Sequence, residues 1–102
     1  RASFALRDVA EYVRAMEKEQ LAENFETQKQ YFEAMSTFAG GIVAFDEDEV
    51  NTAIDAFRTA EKILKSTQEL ARNSGNTILM EQCLESLDQI ASYLETASAL
   101  QE

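Results

Sequence analysis

No proline interrupts this chain, and only three glycines do, two of them adjacent at Gly40-Gly41. Inside a helix these two residue types are the costliest, about 3 and about 1 kcal/mol worse than alanine, so a chain nearly free of them has little to stop a helix once started. An almost wholly α-helical protein is therefore expected. At 102 residues with 45% hydrophobic side chains the chain suits one globular domain, able to hide about two thirds of its unfolded surface. The first residue is Arg1 rather than methionine, so residues 1–102 read as a single helical domain cut from a longer polypeptide.

Apolar residues recurring at three and four positions mark helix faces. Ser3 is placed to cap a first helix whose stripe is Leu6, Val9, Val13 and Met16. The stripe fades over the polar stretch from Glu17 to Gln30, where Asn24 or Thr27 could cap a new helix. A second stripe follows in Tyr31, Phe32, Met35, Phe38, Ala39 and Ile42. The third runs through Val50, Ala53, Ile54, Phe57, Ala60, Leu64 and Ala71, with Arg58, Lys62 and Lys65 outward. The fourth holds Met80, Cys83, Leu84, Leu87, Ile90, Ala91 and Leu94. The pattern predicts an all-α, antiparallel four-helix bundle with helices near 3–22, 26–44, 47–73 and 76–99. The alternative is that no turn forms near Asn24 and one unbroken helix carries an exposed polar waist.

Two features punctuate the pattern. Gly75 in "NSGN" suits the left-handed residue that closes a helix, and Asn76 suits the cap of the next. The four acids Asp46 to Glu49 read as helix punctuation, with Asp46 and Glu49 spaced as an N-terminal cap. A calcium loop is excluded there, because counting from Asp46 the twelfth position is Phe57 rather than a bidentate glutamate. Gly40-Gly41 is explained either by close approach of a neighbouring helix or by the helix stopping at Gly40.

Gly41, Ala53, Phe57 and Ala60 reproduce the spacing G-x11-A-x3-F-x2-A. "DEDEVNTAIDAFRTAEKI" resembles the turn and second helix of a tetratricopeptide repeat, and "ELARNSGNTILMEQCLESLDQIASYL" resembles the passage into the next one. The likeness spans about residues 38–94. It implies a stack of helical hairpins that binds a peptide or partner protein on a concave surface without catalysis.

Elimination leads to a similar place. There is no histidine, which removes His-based acid-base pairs, Ser-His triads and the Glu-x-x-His sites of di-iron bundles. No phosphate-binding G-x-x-x-x-G-K-[ST] is present. No enzyme and no cofactor are expected. Nine Lys and Arg against 19 Asp and Glu disfavour nucleic acid and anionic membrane. No apolar run approaches the roughly 20 residues of a membrane span. The lone Cys83 reads as core and fits a reducing cytoplasm.

After Arg72 there is no basic residue, while Glu81, Glu85, Asp88 and Glu95 recur at helical spacing opposite the apolar stripe. This ridge either keeps the domain soluble or steers a Lys/Arg-rich protein or peptide, with Asp48 and Glu49 behind it. A second function class is a structural helical domain that closes its stripes with another copy as a homodimer. For that class, Tyr12, Phe25, Tyr31 and Phe32 supply the aromatic surface.

Overall fold

In the computed structural model the backbone is described for residues 2–101 and side chains for residues 9–101. The described residues form three helices and no strand: α1 (Ala2–Asp46), α2 (Val50–Asn73) and α3 (Thr77–Gln101). The all-α class stands. The four-helix bundle does not, because the first two expected helices are one helix of 45 residues.

The reason lies between Glu17 and Gln30, where nearly every residue is a good helix former and neither Gly nor Pro opposes them. Thr27 does not cap anything. Its hydroxyl donates to the Glu23 carbonyl at 2.6 Å, back along the same helix, and its side chain is buried. The side chains of Ser3 and Leu6, expected to start and stripe a first helix, lie outside the described set.

α2 is the middle helix. Near one end of α2 the Thr67 hydroxyl sits 3.4 Å from the Gln30 amide oxygen. At the other end the Gln101 amide donates to Asn51 at 2.8 Å. Both α1 and α3 therefore run antiparallel to α2 and parallel to each other, and α2 ends about level with Asn24. Residues before that point project past the rest of the molecule, which measures 74 × 17 × 14 Å. The buried face of α2 is Ala53, Ile54, Phe57, Ala60, Leu64, Thr67 and Ala71, close to the expected stripe. Against it α1 sets Ala34, Phe38 and Ala44, and α3 sets Leu79, Cys83 and Ile90.

Gly40-Gly41 does not end α1, and only one of the two is tied to packing. A Cβ on Gly41 would sit 2.7 Å from a ring carbon of Phe57 and 3.2 Å from the Ala56 Cβ. Around Gly40 there is nothing within 4 Å. Gly41 thus admits the fully buried Phe57 ring, which stacks edge-on with Phe38 at 5.8 Å between centroids.

Both turns use the same backbone device. After α1, Asp48 takes φ 62°, and the Glu49 and Asp48 amides donate to the Ala44 and Phe45 carbonyls at 2.9 and 3.2 Å. After α2, Gly75 takes φ 74°, and the Asn76 and Gly75 amides donate to the Ala71 and Arg72 carbonyls at 2.8 and 3.2 Å. These are Schellman closures. The expected cap at Asp46 is corrected accordingly: Asp46 is the last residue of α1, α2 starts at Val50 rather than 47, and its N-cap Glu49 makes no side-chain capping bond. Asn76 caps α3 as expected, its Oδ1 accepting from the Leu79 amide at 3.1 Å.

Two thermal-unfolding comparisons follow. Gly40→Ala should stabilise by up to about 1 kcal/mol through helix propensity, whereas Gly41→Ala should destabilise by about 1–2 kcal/mol because Phe57 cannot yield. Asn76→Ala should cost about 1 kcal/mol, the ordinary value of a lost cap.

Candidate interaction surfaces

Glu81, Glu85, Asp88 and Glu95 are all exposed. They lie opposite the buried face of α3, which is Leu79, Cys83, Ser86, Ile90 and Ala97. At about 1.5 Å per residue they span about 21 Å along one helix. The ion pairs among the described residues, Lys65 with Glu61 and Arg72 with Glu69, lie on α2 and leave these four acids alone. Asp48 and Glu49 are exposed too, but they belong to the α1–α2 turn beyond the start of α2, near the C-terminal end of α3. The fold therefore makes a ridge of four carboxylates and a separate acidic turn, not one cluster of six.

The expected stripe of α3 is rotated relative to the face α2 covers. Leu79 and Ser86 are buried, while Leu84 is exposed and Met80, Leu87 and Leu94 are half-buried. A single neighbouring helix cannot cover so broad an apolar sector, so one edge of it stays open.

On its other edge α3 runs beside α1 without packing closely, leaving a shallow trough between them. Tyr93 bridges its lower end, with centroids 5.6 Å from Phe38 and 6.1 Å from Phe45. Ser92 and Thr96 line a small recess there with Phe45 and Tyr93, about 180 Å³ in volume. At the upper end a larger cleft of about 420 Å³ lies among Tyr31, Phe32, Ile78, Leu79, Gln28 and Gln82. Phe32 and Ile78 are more than 70% exposed. Reading along the sequence missed this trough. Its signal was the cluster of aromatics near Tyr31, which one helix pair could not bury.

The first stripe was expected in the core and is not there. Val9, Val13 and Met16 are exposed on the projecting part of α1, as are Tyr12 and Leu21, and Phe25 is exposed just inside the level of Asn24. Among the described residues none from α2 or α3 covers Val9, Tyr12, Val13 and Met16, because α2 ends level with Asn24.

Cys83 is buried between α3 and α2, as expected, and burial pushes its thiol up from the ordinary value of 9.0. A raised folded-state value gives stability that is complete below the unfolded thiol's value and lost as pH rises through the folded one. Among the described residues no three His, Cys, Asp or Glu side chains converge as a cation site requires, and no helix is long and apolar enough to cross a membrane. Comparison with protein-family models, curated proteins and solved structures finds no match to this chain.

Cys83 should react slowly with an aromatic disulfide reagent in the native protein and at once in denaturant. Rapid native labelling would mean that α3 is not seated on α2.

Proposed function

We propose that this domain is a non-catalytic protein-protein interaction module, a scaffold or adaptor unit of tetratricopeptide-like hairpins acting in the cytoplasm. Its ligand is a protein segment that carries Lys or Arg beside apolar side chains. The observation that carries this reading is the ridge of Glu81, Glu85, Asp88 and Glu95, exposed and, among the described residues, without a cation partner along about 21 Å of α3. Carboxylates that do not help hold the fold together are free to steer a basic partner.

The trough supplies the second half of the reading. Successive residues of a helix turn by about 100°, which puts Gln82, Glu85 and Ser92 on the rim of α3 nearest the trough. The facing rim of α1 presents the exposed Phe32, with Tyr31 beside it. A peptide lying between them would meet apolar surface on one side and amides and carboxylates on the other. Phe32, Ile78 and Tyr93 would supply contact area, and the acids orientation and association rate.

The test is fluorescence anisotropy with a labelled peptide of alternating Leu and Lys/Arg, titrated at low and at physiological salt. Binding should weaken steeply with salt, and the Glu85→Lys, Asp88→Lys double variant should lose about tenfold in affinity at low salt. Equal affinity of variant and wild type would remove the ridge from the account. Both substitutions are at exposed positions, so the fold is left intact.

A further inference from the structure

We propose that the projecting half of α1 is a dimerisation surface on which a second copy of this chain docks, the two projections running antiparallel about a two-fold axis near Glu11. This surface is separate from the ridge and trough of α3.

The first support is continuity of one helix face. Thr27, Ala34, Phe38, Gly41 and Phe45 form the side of α1 turned toward α2 and α3. At about 100° per residue, Val9, Tyr12, Val13 and Met16 fall within about 60° of that same side. The face that makes the intramolecular interface thus continues past the end of α2 with the same apolar character. Its side chains there stand 59%, 68%, 44% and 52% exposed. Grouped apolar exposure of this kind marks an association surface rather than ordinary solvent-facing helix.

The spacing of the stripe decides the occupant. Leu6, Val9, Val13 and Met16 are separated by three, four and three residues, a series that reads the same in both directions about Glu11. Turned through 180°, a second copy sets its Val13 on Val9 and its Val9 on Val13, so the two central layers are apolar, as antiparallel coiled-coil pairing needs. The flanking positions then bring Tyr12 to Tyr12 of the second copy and Ala10 to its Ala10. No like charges face each other.

Length agrees. The paired stretch covers residues 2–20, which lies within the part of α1 that α2 leaves free. Sliding the copies one heptad further together would bury Gln20 against Val9. It would also drive the second copy's first turn into the Ser74–Asn76 connection, so the symmetric register is the one that fits. So short a two-helix seam falls at the low end of specific interfaces, below about 1,200 Å², so a weak dimer is expected.

Sedimentation equilibrium from about 1 to about 300 µM tests this. The mass should rise from that of the 11.5 kDa chain toward twice that value, and Val13→Glu, at a solvent-facing position that does not touch the hairpin, should remain monomeric throughout with unchanged helicity. Air oxidation of an equimolar mixture of Val9→Cys and Val13→Cys chains should give a disulfide between unlike chains. A wild type that is monomeric over the whole range would overturn the proposal, as would a dimer indifferent to Val13→Glu. Preferential self-linking of Val9→Cys would overturn the antiparallel arrangement.

Discussion

Between Glu17 and Gln30 no glycine or proline offers the first helix an inexpensive end, and the rest of the molecule follows from that. Forty-five residues in one helix extend about 67 Å, while the 24 residues of α2 can line only about 36 Å of it. Half of α1 is therefore held by packing and half is supported by its own backbone hydrogen bonds and by helix-favouring side chains. The same local preference that makes α1 long leaves Val9, Tyr12, Val13 and Met16 in water. A turn near Asn24 would fold that stripe back and hide it. The chain lacks the glycine or proline that would make such a turn inexpensive.

Where α1 is packed, the fit is close because Gly41 has no side chain. Phe57 occupies that space and touches both Phe38 and Tyr93, whose ring centroid lies 5.3 Å from its own. One aromatic group thus joins all three helices at the level of Phe38 and Tyr93. Above that level the trough opens between the two outer helices, with Phe32 and Ile78 at its mouth. A three-helix layer cannot enclose its outer helices on every side. The open edge at Leu84 and the trough are consequences of that shortage of helices, and they are where apolar surface is on offer to a ligand.

What could be read from the sequence followed the strength of local signals. The buried face of α2 was legible because its stripe is continuous and its polar face carries Arg58, Lys62 and Lys65. Gly75 and Asn76 were legible because left-handed backbone and capping select those residue types. The α1–α2 turn was legible as punctuation, but its device was not. Asp48 closes the helix in a left-handed conformation that aspartate tolerates at some cost, and four adjacent acids disguise which one does so. The first stripe was misread for a different reason. Periodicity says which face of a helix is apolar, not whether another helix will be present to cover it. The acids of α3 were placed correctly on a solvent face, yet nothing in their spacing separated them from Asp48 and Glu49, which the fold puts in the turn just before the start of α2.

The central claim is that α1 is one rod. Spin labels at the exposed positions Glu11 and Ser36, in chains diluted with excess unlabelled protein, report it directly by double electron-electron resonance. A continuous helix places them 25 residues apart along one axis, and a single narrow distance near 37 Å is predicted, at about 1.5 Å per residue. A turn near Asn24 would bring the two labels alongside each other, and a dominant distance below about 20 Å, as neighbouring packed helices give, would contradict the account.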